Sequence, residues 1–310
     1  MKCRVCRGPA VIDVRRQNAN YCRDHFLRMC REQVKKAIDE FEMLKPGERV
    51  LVAVSGGKDS LACWHILREL GYDADGFVIG LGIGQYSDES TQYARAFATE
   101  RGWKLHEVSL RNDFGFDIPT AAKATKRVPC SACGLSKRHL FDEAAREHGY
   151  DVVATGHNLD DEAAVLFGNV LRWQTDYLGR QLPVLPERNG FPRKVKPLVR
   201  LGEREMAAYC VLAGIDYIVE ECPMAAGNKH LGYKDALNAI ETDSPGSKHA
   251  FYFGFLDRVS GRFIGDAEDE QRDLVACSNC GAPTTGEVCA FCKLVDRSSG
   301  YEPVVLRERT

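Results

Sequence analysis

Val52-Ala53-Val54-Ser55-Gly56-Gly57-Lys58-Asp59-Ser60 is the stretch on which the fold turns. It closes the apolar, valine-rich run 49–54, which reads as a buried strand, and it opens a helical pattern over 60–70. Gly56 and Gly57 let the backbone approach a ligand with its N–H groups turned inward. The helix start that follows adds partial positive charge, and Ser55 and Ser60 bring hydroxyl donors. A loop built this way is a cradle for pyrophosphate. It is not a Walker loop, because the Gly-x-x-x-x-Gly-Lys spacing is absent.

Outward from this loop, strand and helix patterns alternate. Phe26, Met29, Cys30, Val34, Ile38 and Phe41 recur at helical spacing, and Pro46-Gly47 ends that helix. Strands are predicted over 75–81, 104–108 and 152–155, and helices over 89–101, 135–148, 160–171, 203–212 and 232–240. The alternation predicts an α/β fold, a mostly parallel sheet flanked by helices, with ligands at the carboxyl ends of its strands.

With 310 residues the chain can bury a core without disulfides. No apolar run approaches the length of a membrane span, and Met1-Lys2-Cys3-Arg4 leads into no secretory signal, so a cytoplasmic protein is expected. A net charge of -2 means that a nucleic-acid partner must be held by local basic patches rather than by bulk charge. Candidate patches are Lys123, Lys126 and Arg127; Lys137 and Arg138; and Arg193, Lys194, Lys196, Arg200 and Arg204.

Thirteen cysteines, mostly in Cys-x-x-Cys pairs and with no secretory signal, point to metal binding in a reducing compartment. Cys3, Cys6, Cys22 and His25 form one tetrahedral Zn²⁺ set, and Cys277, Cys280, Cys289 and Cys292 a second. Each offers four protein ligands and leaves no position for substrate, so both are read as structural. Cys130 and Cys133 form one knuckle with no second pair nearby, and Cys222 is their distant candidate partner. Three thiolates can hold a [4Fe–4S] cluster and leave one iron without a protein ligand. The residues alone leave a redox pair or a third zinc equally open. Cys30, Cys63 and Cys210 sit among apolar neighbours at helical spacing and are read as core cysteines.

Ser55-Gly56-Gly57-Lys58-Asp59-Ser60 resembles the PP-loop of the N-type ATP pyrophosphatases, which split ATP between the α and β phosphates and adenylate a substrate oxygen. Together with Cys130-Ser131-Ala132-Cys133-Gly134-Leu135-Ser136-Lys137-Arg138, the segment 154–162 and the two terminal metal sets, it is similar to the TtuA-type tRNA-uridine 2-sulfurtransferases over nearly the whole chain. The resemblance implies a zinc finger over 1–27, a PP-loop catalytic domain over 28–268, and a zinc ribbon with tail over 269–310. It implies catalytic roles for Asp59, Lys137 and Asp161, beside Lys58 of the loop. It places nucleotide contacts at Ala53, Ser55, Gly56, Gly57, Ser60, Ile79 and Gly156, and lets the acidic run Asp160-Asp161-Glu162 help hold Mg²⁺. It assigns the [4Fe–4S] cluster to Cys130, Cys133 and Cys222. Partners implied are tRNA, a ubiquitin-like sulfur carrier with a C-terminal thiocarboxylate, and a second copy in a homodimer. The implied reaction is adenylation of a tRNA uridine at O2 and its replacement by sulfur. Two other readings share parts of the pattern. A PP-loop enzyme acting on another adenylated substrate, such as a tRNA cytidine or a carboxylate, would share Ser55 to Ser60. A non-catalytic zinc-ribbon RNA-binding protein would have no use for Lys58, Asp59 and Asp161.

Overall fold

β3 (Arg49–Val54) lies inside a six-stranded sheet, as its unbroken apolar run demands. In the computed structural model, which describes residues 1–225, 229–263, 274–299 and 301, the strand order is β5-β4-β3-β6-β8-β7. The others are β4 (Asp73–Gly80), β5 (Leu105–Ser109), β6 (Val152–Thr155), β7 (Val184–Leu185) and β8 (Arg193–Val195). Neighbours from β5 through to β8 run parallel, and β7 alone pairs antiparallel, at the edge. The chain leaves β3 towards β4 and β5, then crosses back to lay β6 on its other side. That reversal is the switch point at which open α/β sheets bind ligands.

Helices cover both faces. α1 (Arg23–Glu40), α2 (Lys58–Glu69) and α3 (Gly84–Arg101) share a core with Val50, Val52 and Val54, whereas Leu51, Phe77 and Val153 face α6 (Pro129–Glu147). Trp64 of α2 is fully buried and donates its indole N–H to the Ala74 carbonyl at 2.9 Å. A methyl group at Gly76 would lie 2.6 Å from that indole, so only glycine fits there. The metal-set modules join these cores. Ile12 and Val14 of β1 (Ile12–Val14) and Ala19 and Tyr21 of β2 (Ala19–Tyr21) pack with α1. Cys277, Cys289, Phe291 and Leu294 pack with α6. His25 sits in the first turn of α1, so the first module shares its last metal-ligand candidate with the helix that follows it.

The predicted strands and long helices are present, with ends shifted by a few residues. Sequence patterning missed α4 (Leu110–Phe114), α5 (Ile118–Thr125), α8 (Thr175–Leu178) and α11 (Ser247–Arg258), as well as β7 and β8. β8 carries two charges in three residues and has no apolar alternation to betray it. α6 corrects the reading of Cys130 and Cys133. The helix starts at Pro129, six residues before its expected start at 135. The two cysteines therefore occupy its first turn on one face, and not a metal-knuckle turn. α7 (Leu159–Leu171), α9 (Glu203–Ala213) and α10 (Lys229–Asp243) complete the main domain. α12 (Ala290–Ser298), with β9 (Val275–Ala276) and β10 (Pro283–Thr284), builds the last module. The expected boundary at 268/269 and the tail from 302 lie outside the described residues.

Candidate active site

The loop after β3 is shaped from within. Gly56 has φ +71, and a Cβ there would lie 2.0 Å from the Ser90 carbonyl oxygen. Ser90 in turn donates its hydroxyl to Ser55 O at 2.7 Å. Ser60 is buried; its hydroxyl donates to Gly57 O at 2.9 Å and accepts from the Ser55 N–H at 3.0 Å. Ser60 thus holds the loop closed, and it also accepts from the Ser55 hydroxyl at 3.2 Å, which leaves the backbone to face a ligand. Gly156, just after β6, sits so close that a Cβ would meet the backbone of Asp59 and Ser60 at 2.8 Å. Ala53 and Ile79 lie near the carboxyl ends of β3 and β4, flanking the loop.

Acidic groups reach this loop from two helix starts. Asn158 caps α7, with Asp161 returning the favour in a capping box. Its side-chain amide also donates to Asp59 Oδ1 at 3.0 Å. Of the three carboxylates that open α7, only Asp161 turns towards the loop. Asp160 accepts from Lys248 and from the Glu203 N–H, and buried Glu162 accepts from Lys196, Gln181 and Tyr252. The acidic run expected to help hold Mg²⁺ thus offers one carboxylate there, with Asp59 as the second.

Two residues that the sequence did not single out complete the cluster. Lys58 Nζ bridges Asp59 Oδ2 at 3.0 Å and Glu203 Oε1 at 2.9 Å, while Lys234 Nζ bridges Glu203 Oε2 at 3.1 Å and Asp161 Oδ1 at 2.6 Å. Charge alternates along the line Asp59, Lys58, Glu203, Lys234, Asp161. Burial pushes the Glu203 carboxyl up, but the hydrogen bond from Lys58 and the attraction of Lys234 outweigh it and hold it at about 2. Burial lowers both lysines, and the facing carboxylates more than reverse this, so both stay charged. Asp59 is pushed up by burial and by Asp161, against Lys58 and Asn158. The only signal for Glu203 and Lys234 lay in their place at predicted helix starts.

The lone cysteine pair opens at the same end of the sheet. α6 runs antiparallel to the strands, so Cys130 and Cys133 in its first turn lie beside their carboxyl ends. Cys130 Sγ is 3.9 Å from the Met224 carbonyl, in the loop that carries Cys222. Burial pushes the Cys222 thiol up, as do the Cys133 and Cys130 thiolates, while the Met224 N–H and Lys137 pull the other way. The Cys222 loop thus reaches the start of α6 that carries Cys130, and Lys137 lies one turn beyond Cys133 on that helix. Burial raises the Tyr86 phenol at the start of α3, and the Cys222 and Cys133 thiolates push the same way. Three free thiols on two neighbouring segments fit an iron–sulfur group, whose thiolate ligands need not close on a single ion.

The terminal sets are tighter. The donor atoms of Cys3, Cys6, Cys22 and His25 all lie within 4.8 Å of one another, as do those of Cys277, Cys280, Cys289 and Cys292. Burial raises the Cys277 thiol, but N–H groups of Cys289, Cys280 and Asn279 hold it at about 6, which favours the metal-binding thiolate. Among the described residues, these are the sets with metal-ion closure.

The third basic patch has another use. Arg193 pairs with Glu48, Lys194 with Asp142, Lys196 with Glu162 and Arg200 with Glu40, all with partly or fully buried side chains. These four cations pin β8 and the turn that follows to the core and are not an RNA-facing surface, whereas Arg204, the fifth of the patch, is exposed and donates to the Asp13 carbonyl at 3.2 Å. Lys123, Lys126 and Arg127 are exposed beside the first turn of α6.

A parallel sheet with a pyrophosphate loop and an acidic helix cap at its switch point defines a PP-loop protein. Residues 28–226 match the PP-loop domain family, and residues 2–27 match the N-terminal LIM domain of the 2-thiouridine synthetase TtuA. The tRNA-5-methyluridine(54) 2-sulfurtransferase of Thermus thermophilus is 51% identical over 297 residues, 96% of this chain and 91% of that protein. Its counterpart from Pyrococcus horikoshii is 40% identical over 293 residues, 94% of this chain and 93% of that protein. The U34-tRNA thiolase NcsA from Methanococcus maripaludis, solved with its [4Fe-4S] cluster, superposes with a TM-score of 0.78 at 25% identity and 99% coverage of both chains. The chain belongs to the TtuA-type tRNA 2-sulfurtransferases of the PP-loop superfamily. Among the described residues, no helix is long and apolar enough to cross a membrane.

Proposed function

We propose that this chain is the enzyme that replaces O2 of a tRNA uridine with sulfur, and that its target is the 5-methyluridine at position 54 named for its relatives at 51% and 40% identity. The observation that carries the reading is the shared mouth of two sites. The pyrophosphate loop at the start of α2 and the start of α6, where Cys130 meets the Cys222 loop, lie at one end of the sheet, with Lys137 one turn beyond Cys133 on α6.

ATP lies on the loop from Ser55 to Ser60, and Asp59 and Asp161 would hold a Mg²⁺ that offsets the charge of its phosphates. Uridine O2 attacks the α-phosphate, and pyrophosphate leaves with its charge met by Lys58 and the loop amides. Sulfide then attacks C2, and AMP departs with the original oxygen. Cys130, Cys133 and Cys222 would hold a [4Fe–4S] cluster, whose iron without a protein ligand is a place to bind sulfide beside C2. Lys137, on the same helix as Cys130 and Cys133, is placed to orient the adenylated base. Both terminal sets hold Zn²⁺ and serve as structural modules over 1–27 and 269–310, around the catalytic domain over 28–268. The sulfur source is a ubiquitin-like carrier with a C-terminal thiocarboxylate. The enzyme works in the cytoplasm as a homodimer.

The test is anaerobic. The protein is reconstituted with iron and sulfide and given ATP, Mg²⁺, sulfide and unmodified tRNA, and the digested nucleosides and mapped fragments are weighed. An ATP-dependent 2-thio nucleoside in the fragment holding position 54 supports the reading. Thiolation at 34 would move the target, and ATP turnover without any thio nucleoside would point to a different adenylated substrate.

A further inference from the structure

Lys234 is the cation that the mechanism leaves unused. It enters the site from α10 and contacts two carboxylates at once, Asp161 Oδ1 at 2.6 Å and Glu203 Oε2 at 3.1 Å. Its side chain is 21% exposed, as is that of Lys58. The inward face of α10 repeats at helical spacing. Lys234 meets Asp161, Leu237 packs on Ala163 and Ala164, and Asn238 accepts from the Lys248 that holds Asp160. Tyr233 adds a ring contact with Phe167. Those apolar contacts seat the helix, so the ion pair is not needed to dock it.

Charge explains why the lysine is there. The ligand-free cluster sets two ammonium groups, Lys58 and Lys234, against three carboxylates, Asp59, Asp161 and Glu203. A polyphosphate adds more negative charge to a site that already has an excess. Glu203 holds the two ammonium groups on its two oxygens, one each, a spacing that neighbouring phosphates of one chain can span. Lys58 is fixed at the start of α2, within the loop itself. Lys234 comes from a different element, on the far side of Glu203, and a lysine carries its charge on a flexible stem.

We infer that Lys234 is a second phosphate-binding lysine of the site, parked on Asp161 and Glu203 when the site is empty and transferred to the β and γ phosphates of the nucleotide when it fills. The assignment rests on the reading of the Ser55–Ser60 loop as an ATP site. Transfer breaks no covalent bond. The ammonium exchanges one carboxylate oxygen for a phosphate oxygen, and Glu203 keeps Lys58 and Lys234 in register. Lys234 is a binding residue towards the leaving pyrophosphate, distinct from the groups that face the base.

The experiment is calorimetry on the full chain with ATP, pyrophosphate and AMP as separate probes at saturating Mg²⁺, on wild type, Lys234→Met, Lys234→Arg and Lys58→Met. Lys234→Met is expected to weaken ATP and pyrophosphate about 10- to 100-fold, the range of one to two charge-assisted hydrogen bonds. AMP binding should change less than threefold or so, and Lys234→Arg should recover most of the loss. Unchanged ATP and pyrophosphate affinity in Lys234→Met, with Lys58→Met weakened, overturns the assignment and leaves the ATP site standing. Absence of ATP binding in the wild type overturns the site reading itself. Should Lys234→Met not fold, amine acetylation of the wild type followed by mass spectrometry decides the matter. Pyrophosphate must slow labelling of Lys234 as it slows that of Lys58, and an unaltered Lys234 rate overturns the proposal.

Discussion

Asn158 donates its side-chain amide to Asp59 Oδ1 across 3.0 Å, joining residues 99 positions apart. The same side chain accepts from the Asp161 N–H at 3.1 Å, and its own backbone N–H reaches Asp161 Oδ2 at 3.1 Å. One fully buried residue therefore fixes the two carboxylates proposed for Mg²⁺ relative to each other, and ties the loop after β3 to the loop after β6.

Replacing Asn158 separates these two duties. Asn158→Ala loses the cap and is expected to destabilise the protein by about 0.5–2 kcal/mol, with weaker ATP binding. Asn158→Asp keeps an acceptor for the Asp161 N–H but sets an anion against Asp59. It should hold more of the thermal stability than the alanine variant while binding Mg²⁺·ATP no better. Thermal unfolding and nucleotide titration of both variants check this, and an Asp variant with wild-type ATP affinity would contradict the coupling.

Glu203 sets a pH dependence with a definite sign. Its folded carboxyl is held at about 2, below the ordinary value of 4.5. The unfolded chain therefore binds the proton first as pH falls. The stability from this group is fully present above pH 4.5 and is lost as pH drops towards 2. Glu203 is partly open to solvent, which screens the effect. Glu203→Gln should flatten the stability curve across that window and lower the neutral-pH midpoint, since Lys58 and Lys234 lose a shared anion. Denaturant midpoints measured between pH 2.5 and 7 give the comparison.

The phosphate loop, the parallel sheet and both four-ligand sets were legible because each is local: a strand, a glycine pair and a helix start, or fixed Cys spacings. What escaped is made by tertiary pairing. Lys234 and Glu203 carry no motif: the packing of α10 on α7 brings Lys234 to Asp161, and the Glu203 N–H on Asp160 sets the start of α9 beside it. Lys194 and Lys196 looked like a basic surface patch because sequence shows charge but not the buried Asp142 and Glu162 that absorb it. Cys130 and Cys133 read as a knuckle because their spacing is that of a metal-ligand pair, whereas α6 starts at Pro129, ahead of its apolar pattern, with proline as the first helical residue.

The two kinds of basic patch give opposite responses to mutation. Lys196→Gln strands buried Glu162 without its cation and is expected to destabilise the fold by about 3–5 kcal/mol, leaving the salt dependence of tRNA binding unchanged. Neutralising exposed Lys123, Lys126 and Arg127 together should leave the unfolding midpoint within a degree or two. It should also shallow the slope of log affinity against log salt by about 0.7–0.9 per lost phosphate contact. Binding isotherms at four salt concentrations separate the two. A reversed pattern would return Lys196 to the RNA surface.

Phe291 links the last metal-ligand set to the helix that carries Cys130 and Cys133. It lies one residue before Cys292, stacks on His139 of α6 at 4.2 Å between ring centroids, and meets Phe114 edge-on at 5.3 Å. His139 is two residues beyond Lys137 on the helix whose first turn holds Cys130 and Cys133. The ring is 3% exposed, so Phe291→Ala opens a cavity under α6 and is expected to cost about 3–5 kcal/mol. The pyrophosphate loop lies at the start of α2, whose buried apolar residues belong to the other core. Iron loading on anaerobic reconstitution should therefore fall before ATP binding does, and stripping the Cys277 set with a chelator should act in the same direction. Iron content and nucleotide affinity measured on the same preparations decide it. Equal losses of both would mean that the module supports the whole domain, whereas full iron loading in Phe291→Ala would show that α6 holds its first turn without help from the last metal set.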